Sequence, residues 1–428
     1  MNNNLKEKLA ESGWVLTNED FKPPFDFKEE LRYNLIGYSV SILAIIPLLI
    51  VLVFLYFYLR LKGKNKRPRM LFGTHAVITF KLLKKVLEEE HDCTLFAFKD
   101  DFHKVENIDV ITAEDVMPKW IARKYPYLLG RYWAFIWALK NFDIFHLYYD
   151  AGFLDRTIWW RLEPIIYQLF GKKVILYPYG ADVWDTLRNQ NRLHKVGHML
   201  FDSKYFHLDF KRIHRTYHWS KYVNFVFGYI NYIDFLPRID VLTYQGYFID
   251  NVEDYTYSFP EINSTVKIIH YANNGIRKGS RIISEVMNSL KLKRKDFEFK
   301  CLDGINRSEA LILLDESHIF IDNLVDGFPS FSPIEAMLKG KIVITYLDKS
   351  IKEFYTYSNK GYYVKFFDDL PIIEIDDIDK MSEKVEMLLD SKESLRDLSF
   401  KSRKFAEKLV NENRKAYKLL IANSLKDN

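Results

Sequence analysis

The sequence predicts an α/β protein with two parallel-sheet domains behind a single membrane-spanning helix. Three observations carry this prediction: short apolar runs alternate with longer helix-like stretches, the alternation occurs in two series, and an uncharged apolar segment precedes both. Strands that alternate with helices are typical of parallel sheets covered on both faces. A chain of 428 residues is long enough for two domains that each bury a core of their own.

The apolar segment "LIGYSVSILAIIPLLIVLVFLYFYL" (residues 35–59) contains no charge and predicts a transmembrane helix. It is too long and begins too late for a cleaved signal peptide, and Pro47 is compatible with a span. The tail before it (1–34) carries five basic and seven acidic residues, whereas "RLKGKNKRPR" (60–69) carries six basic residues and no acid. The positive-inside rule therefore predicts a single-pass protein of the plasma (inner) membrane, with its N-terminus outside and its domains in the cytoplasm.

The charge of the rest of the chain argues against a nucleic-acid partner. Outside the run at 60–69, which includes the predicted juxtamembrane linker 60–68, the chain has 56 basic and 57 acidic residues. The run itself could contact anionic lipid head groups. Cys93 and Cys301 lie in apolar runs that predict strands, so we expect a reducing compartment, no disulfide framework and no zinc site.

The first series of predicted strands defines an N-terminal domain at 69–250. Its strand candidates are residues 69–74, 93–98, 108–111, 143–149, 173–179 and 240–244.

A polar, turn-rich stretch at 251–265 is the predicted interdomain linker. The second series defines a C-terminal domain at 266–395, followed by closing helices at 396–428. Its strand candidates are residues 266–272, 297–304, 318–324, 341–347 and 362–366. The predicted architecture is two Rossmann-like domains.

The stretch "GFPSFSPIEAMLKGKIVITYL" (327–347) places a carboxylate near the start of a short helix between two strands. We expect Ser332 to be the N-cap and Pro333 the first helical residue. Glu335, one turn in, could accept hydrogen bonds from a pair of sugar hydroxyls. Alternatively, it could do no more than complement the helix dipole.

The stretch "HYANNGIRKGSR" (270–281) places Arg277, Lys278 and Arg281 at another helix start. Cations oppose the helix dipole at that end, so the pattern indicates an anion, of which a diphosphate is the natural candidate. Exposed basic residues also tolerate such positions, and this alternative stays open.

These two motifs resemble the donor domain of retaining GT-B glycosyltransferases, glycosyltransferase family 4. The resemblance lies in "HYANNGIRKGS" and "SHIFIDNLVDGFPSFSPIEAMLKGKIVI", and "GKKVILYPYGADVWD" (171–185) is similar to the family's first-domain "hGsD" segment. The C-terminal "KVEMLLDSKESLRDLSFKSRKFAEKLV" is similar to its closing helices. The likeness covers nearly everything from residue 69 onward and implies GT-B architecture.

The resemblance implies roles for residues of the C-terminal domain. Glu335 would bind the ribose of a nucleotide-sugar donor, and Lys278, with Arg277, would offset the charge of the leaving diphosphate. Phe331 and Ser332 would bind diphosphate oxygens through their amides, and Gly304 would approach the base. The family implies no metal or other cofactor, with the nucleotide-diphosphate sugar as co-substrate.

Where the family has a first glutamate, this chain has Gly327, with Asp326 one residue out of step. We include both among the expected donor-binding residues. The family's basic residue five positions before Lys278 is Asn273 in this chain, and Arg277 is the expected substitute.

On the acceptor side, we expect a set of cleft residues at or just past the ends of the first, fourth and fifth strands. These residues are Gly73, Thr74, His75, Tyr148, Tyr179, Gly180 and Asp182. The resemblance implies Gly73, Thr74, Gly180 and Asp182 among them, whereas His75 is a candidate because it lies just past the first strand. Tyr148 and Tyr179 stand where members often have histidine. The histidine inside the fourth strand, His146, is interpreted as a packed residue.

The leading hypothesis is a membrane-anchored glycosyltransferase that moves a sugar from a nucleotide-diphosphate donor to a lipid-linked or polysaccharide glycan acceptor at the cytoplasmic face. A second hypothesis is an inactive scaffold or regulatory subunit of a membrane glycan-assembly complex, which the replaced histidines and the missing glutamate favour. A third, a nucleotide-sugar epimerase, is disfavoured because its soluble substrate requires no membrane span.

Overall fold

The structure is a computed structural model that describes residues 27–63, 67–75, 78–98, 110–120, 129–155, 157–201, 208–243, 249, 251–262, 265–272, 275–329, 331–349, 353, 370–375 and 380–426. These residues form two compact units. The N-terminal unit lies within Pro23–Arg188 and Lys204–Asp250, and the C-terminal unit lies within Asn189–Ser203 and Asn251–Asn428.

The N-terminal unit is built on a seven-stranded, all-parallel sheet in the order β3-β2-β1-β4-β5-β6-β7. Its strands are β1 Arg69–Phe72, β2 Asp92–Ala97, β3 Val110–Thr112, β4 Ile144–Tyr148, β5 Lys173–Tyr177, β6 Phe225–Tyr229 and β7 Val241–Thr243. The predicted parallel sheet is confirmed, but β6 was not predicted. Its sequence "FVFGY" follows directly on an amphipathic helix and contains a glycine, which weakens the strand signal.

The C-terminal unit is built on a five-stranded parallel sheet in the order β12-β11-β10-β8-β9. Its strands are β8 Val266–Ala272, β9 Phe297–Asp303, β10 Ile319–Ile321, β11 Ile342–Tyr346 and β12 Ile372–Ile375. The predicted strand at 362–366 lies outside the described residues. The strands β12 and β9 are the two edges of the sheet, and β12 was not predicted from the sequence.

Helices connect the strands and cover the sheets. They are α1 Phe27–Leu43, α2 Ile45–Lys62, α3 Ile78–Leu87, α4 Ala113–Val116, α5 Leu129–Asn141, α6 Glu163–Leu169, α7 Arg192–Phe201, α8 Asp209–Tyr222, α9 Gly275–Lys278, α10 Ser280–Lys293, α11 Arg307–Asp315, α12 Phe331–Leu338, α13 Met381–Asp390 and α14 Lys392–Lys426.

The predicted transmembrane segment spans the end of α1 and most of α2. Helical hydrogen bonds continue across the junction, because the amide of Ala44 donates to Val40 O at 2.9 Å. Among the described helices, α2 is the one long and apolar enough to cross a membrane. One stripe of it, Leu48, Leu52 and Leu55, is buried, and α2 packs against α5.

The core of the C-terminal unit is aliphatic and lies between the sheet and its helices. It includes Val266 and Ile268 from β8, Ile342 from β11 and Val385 from α13. Neighbouring buried strands of this kind are typical of parallel sheets covered on both faces.

The "GK" that ends the motif at 327–347 is structural. Gly340 has φ +79°, and a Cβ there would lie 2.4 Å from the Tyr257 ring. The buried ammonium of Lys341 donates to Ser258 O at 2.7 Å, Ser317 O at 3.0 Å and Asp315 O at 3.3 Å. The two residues therefore fix the turn that leads from α12 into β11.

Cys93 and Cys301 lie on β2 and β9, as predicted, and both are free thiols. Burial raises the pKa of the Cys93 thiol to about 12, which makes it a packing residue and a poor nucleophile.

Candidate functional site

Each sheet has one place where the strand order reverses direction. In the N-terminal unit it lies between β1 and β4, and in the C-terminal unit between β8 and β10. Beyond the carboxyl ends of the strands at such a point, the connecting chain segments diverge and leave a crevice that ligands occupy. Most of the predicted site residues lie at one or the other of these two places.

Glu335 lies on α12, the helix that follows β10, and its side chain is buried. Its Oε1 accepts hydrogen bonds from Tyr255 Oη at 2.9 Å and from Arg307 Nε at 2.9 Å and Nη2 at 2.5 Å. No described residue donates to its Oε2. The carboxylate is therefore fixed by one oxygen, while the other retains its capacity to accept.

Burial raises the pKa of the Glu335 carboxyl, and Arg307 opposes that shift. Burial and the nearby Glu335 also raise the pKa of the Tyr271 phenol on β8. The side chain of Arg307 is 45% exposed and covers the carboxylate from the solvent side. A ligand could therefore reach Glu335 if Arg307 changes rotamer.

Lys278 ends α9, directly after β8, and its ammonium is shared between two carboxylates. The Nζ atom lies 3.1 Å from Asp322 Oδ1 and 3.6 Å from Asp326 Oδ2. Gly279 follows with φ +76°, and a Cβ there would approach Leu324 Cβ at 3.2 Å. The glycine of the "KG" pair thus lets the loop after β8 pack against the loop after β10, and the structure brings Lys278 and Asp326 together.

A segment from the first half of the sequence lies on these loops. Residues 189–201, which we call the strap, belong to the C-terminal unit, although both flanks belong to the N-terminal unit. The Nδ2 atom of Asn191 donates to Asp326 O at 3.1 Å. A Cβ on Gly327, where φ is +76°, would lie 2.6 Å from that same Nδ2 atom. Gly327 therefore serves close packing under the strap.

The other predicted donor-side residues lie in α12, after β9 and in α9. The helix α12 begins at Phe331, so Ser332 is a residue of its first turn and the predicted N-cap at Ser332 is wrong. Helix ends are poorly determined by sequence, because several neighbouring residues can cap. Gly304 directly follows β9, with φ +70° and open space around the position of a Cβ. Arg277 lies in α9, but its side chain is outside the described part of the structure.

In the N-terminal unit, three neighbouring strands each contribute one polar side chain to a cluster. His75 follows β1, Asp150 follows β4 and Tyr179 follows β5. The Tyr179 hydroxyl donates to Asp150 Oδ2 at 2.8 Å, and His75 Nε2 lies 4.0 Å from Asp150 Oδ1. The side chains of His75 and Asp150 are 38% and 29% exposed, so this cluster is accessible to a ligand.

Asp182 has a structural role beneath this cluster. It is buried, and it accepts hydrogen bonds from the amides of Tyr149 at 3.3 Å and of Tyr179 and Gly180 at 2.9 Å each. Burial, with Asp150 nearby, raises its pKa to about 8. Asp182 thus fixes the loop after β5 and presents no atom to a ligand, which differs from its expected role as a cleft residue.

Gly73, Thr74 and Gly180 have structural roles in the loops that follow β1 and β5. The Thr74 hydroxyl donates to Ala151 O at 3.0 Å, and the Gly73 amide donates to His146 O at 3.1 Å. At Gly180, where φ is +121°, a Cβ would lie 2.8 Å from the Trp184 ring.

Two aromatic residues of β4 belong to the core. Tyr148 is fully buried and stacks on Phe80 with 3.8 Å between ring centroids, so the expectation that it lines a cleft is corrected by its burial. His146 stacks on Phe72 at 4.1 Å, and burial lowers its pKa to about 3, as expected of a packed histidine.

Several residues of both clusters were not predicted. Tyr255, Arg307, Asp150 and His194 are separated in sequence from the motifs they contact. Asp150 had one signal, since it directly follows a predicted strand, as His75 does. Tyr255, in a linker without periodicity, had none.

Comparisons with known proteins identify the fold. No protein-family model matches the chain, and no curated protein sequence does either. The structure is similar to sucrose-phosphate synthase from Thermosynechococcus elongatus, with a TM-score of 0.56 and 12% identity over 85% of this chain and 100% of that one.

Two further structures are similar at lower scores. One is the lipopolysaccharide outer core galactosyltransferase WaaB, with a TM-score of 0.43 and 10% identity over 82% of this chain and 99% of that one. The other is the catalytic domain of starch synthase IV from Arabidopsis thaliana, with a TM-score of 0.43 and 12% identity over 82% of this chain and 100% of that one. The first comparison alone carries the conclusion that the chain has the fold of GT-B glycosyltransferases, two Rossmann-like domains.

The contact between Gly327 and the strap predicts different effects of alanine at two glycines. Gly327→Ala and Gly304→Ala both place a Cβ at positive φ, which costs about 1–2 kcal/mol. Only the first also meets Asn191, so we expect faster amide hydrogen exchange in 192–201 for Gly327→Ala and unchanged exchange there for Gly304→Ala. Equal exchange in the two variants would contradict the packing of the strap on Gly327.

Proposed function

We propose that this chain is a glycosyltransferase that moves a sugar from a nucleotide-diphosphate sugar to a glycan acceptor. The observation that carries the proposal is the C-terminal cluster: a buried carboxylate with one oxygen left to accept, at the strand-order reversal of a Rossmann-like sheet. Glu335 Oε2 accepts a hydrogen bond from a ribose hydroxyl after Arg307 rotates away. Such bonds to an ionised acceptor are among the stronger ones in proteins.

In this proposal, Lys278 assists the departure of the nucleoside diphosphate. In glycosyl transfer the bond between the anomeric carbon and the diphosphate oxygen breaks, and the diphosphate takes the electron pair. A hydroxyl oxygen of the acceptor forms the new bond to the anomeric carbon, and its proton passes to the departing diphosphate. An ammonium beside that oxygen stabilises the developing charge. The likeness of 270–281 and 327–347 to family 4 supports retention of the anomeric configuration. Among the described residues, no three metal-ligating side chains cluster, and a reaction without a metal cofactor remains a proposal from the family likeness.

A second candidate function is a non-catalytic GT-B-fold scaffold or regulatory subunit of a glycan-assembly complex. The ion pairs favour it, because Glu335 already binds Arg307 and Lys278 already binds Asp322 and Asp326. In that account the pairs are permanent and purely structural.

Substituting each partner of the Glu335–Arg307 ion pair in turn distinguishes the two functions. Glu335→Ala removes the ribose acceptor, so we expect the Kd for a nucleoside diphosphate to rise by about tenfold or more. Arg307→Met removes the competing cation and leaves the carboxylate, so the Kd should stay within about threefold. Isothermal titration of the full-length protein with uridine, adenosine and guanosine diphosphates measures both.

Equal weakening by the two substitutions would contradict a ribose-binding role for Glu335. A wild-type protein that binds none of the three nucleotides would favour the scaffold. The melting temperature of each variant is the control, because breaking a buried ion pair also destabilises the fold.

We further propose that the protein is anchored in the plasma (inner) membrane through residues 35–59, with its domains in the cytoplasm and a lipid-linked or polysaccharide acceptor. An apolar helix face supports this proposal: Phe54 and Phe57 on α2 are 72% and 60% exposed. The basic run at 60–69 begins in the last turn of α2 and supports contact with anionic lipids. Anchoring beside a membrane-bound acceptor raises its effective concentration.

Charges on the exposed face of α2 should release the protein from membranes. The double substitution Phe54→Asp and Phe57→Asp costs about 3 kcal/mol per residue at the centre of a span. We expect the variant to move from the membrane pellet to the supernatant after carbonate extraction. Leu419→Asp, at an exposed apolar residue of α14, is the matched control and should stay in the pellet. Retention of the double variant in the pellet would contradict anchoring through α2.

A further inference from the structure

The helices α1 and α2 lie lengthwise on the N-terminal unit. The helix α2 packs against α5, and the three residues that it buries there, which we call the docked stripe, are Leu48, Leu52 and Leu55. Before them, α1 packs against the 3-10 helix Ile158–Arg161. Two elements of the folded unit therefore support the apolar segment from the side.

Specific contacts are made near both ends of this packing. Near its start, the Tyr132 hydroxyl of α5 donates to Ser41 Oγ at 2.8 Å. Near its end, Lys140 Nζ of α5 lies 5.8 Å from the centre of the Tyr58 ring. At the rise of an α-helix, Ser41 and Tyr58 are about 25 Å apart along the axis. The docked length is thus close to the thickness of the hydrocarbon core of a bilayer, about 30 Å.

A helix that is docked along this length cannot cross a bilayer while the N-terminal unit stays in water. A span would take α5 into the hydrocarbon with it, over nearly the full thickness. The helix α5 belongs to the folded unit and carries Arg131 and Lys140. Charged side chains in hydrocarbon are costly. Docking on the unit and spanning the bilayer are therefore mutually exclusive.

The face of α2 opposite the docked stripe is exposed and apolar. Helical residues spaced three and four apart share a face, because each residue advances about 100° around the axis. By this count the second face is centred about 180° from the docked stripe. We call it the exposed stripe; its residues are 51% to 89% exposed and are Ile46, Ile50, Phe54, Phe57 and Leu61. A continuous exposed apolar face of this kind marks an interaction site.

The charge at the end of the exposed stripe indicates which partner it binds. Arg60 and Lys62 lie in the last turn of α2, and the run at 60–69 has six basic residues and no acid. Anionic lipids supply both hydrocarbon for the stripe and negative charge for the run. A helix that is apolar all round needs apolar surroundings on every side. The N-terminal unit provides them at the docked stripe, and lipid provides them at the exposed stripe.

We propose that α2 lies parallel to the membrane surface, with its docked stripe on the N-terminal unit and its exposed stripe in one leaflet of anionic lipids. This inference rests on the proposed anchoring and gives α2 an orientation other than the span that the sequence predicts. Helices that lie in this plane bury their apolar face about 5–10 Å into the boundary between head groups and acyl chains. The N-terminal unit is thereby held at the membrane surface by direct packing on its anchor.

The depth of labels along the exposed stripe distinguishes the two orientations. Single cysteines for a nitroxide spin label are introduced by Ile46→Cys, Phe54→Cys and Leu61→Cys. Because these positions are exposed, the substitutions leave the docked stripe in place. The labelled full-length protein is reconstituted from detergent into phosphatidylcholine–phosphatidylglycerol vesicles, which permits either orientation. Power-saturation EPR with oxygen and a nickel chelate then measures the depth of each label.

Two controls complete the measurement. Cys93→Ala and Cys301→Ala remove the two native free thiols from every variant. Leu419→Cys on α14, where the native side chain is 64% exposed, provides the signal of a label in water.

We expect the three labels of the exposed stripe at one depth, about 5–10 Å below the head groups. A span instead places the Ile46→Cys label near the bilayer centre and the Leu61→Cys label about 22 Å further along the membrane normal. Such a gradient would overturn the inference while the proposed anchoring stands. Labels that are all as accessible to the nickel chelate as the Leu419→Cys label would overturn both.

Discussion

A carboxylate with 3% exposure is stable only when donors surround it, and Glu335 receives three hydrogen bonds on one oxygen from Arg307 and Tyr255. This arrangement constrains much of the C-terminal unit. Tyr255 must come from the chain that enters the unit, and Arg307 must start the helix after β9. The guanidinium of Arg403 on α14 donates to the carbonyls of Tyr255 and Leu338, which joins the closing helix to the same cluster. The cluster therefore ties together four segments that are distant in sequence.

In both units, polar side chains cluster beyond the strand ends, near the place where the strand order reverses. In the N-terminal unit this is the cluster of His75, Asp150 and Tyr179, and in the C-terminal unit it is the cluster of Lys278 and Asp326. Asp150 Oδ1 and Asp326 Oδ1 are both buried without a hydrogen-bond partner among the described residues. Buried polar atoms rarely lack hydrogen-bond partners, so each of these two oxygens calls for an explanation. The strand order thus accounts for where these polar clusters lie in each unit, since it opens a crevice between divergent connections.

Sequence reasoning succeeded where a local pattern fixes the outcome. The alternation of strands and helices predicted both sheets, and the motif around Glu335 predicted a helix that begins about one turn before that residue. It failed where the outcome depends on tertiary contacts. Nothing near Asn191 or His194 in the sequence indicates that they pack on Gly327 and Asp326, more than 130 residues away. Tyr148 shows the converse. The family resemblance implied a cleft residue at this position, but the tyrosine ring is buried in the core and stacks on Phe80.

The most direct test of the central claim is a structure of the full-length protein with a bound nucleoside diphosphate. We expect a ribose hydroxyl within about 3 Å of Glu335 Oε2, typical of a hydrogen bond, with Arg307 in a new rotamer and the diphosphate beside Lys278. A nucleotide bound elsewhere, with the Arg307–Glu335 pair unchanged, would contradict it.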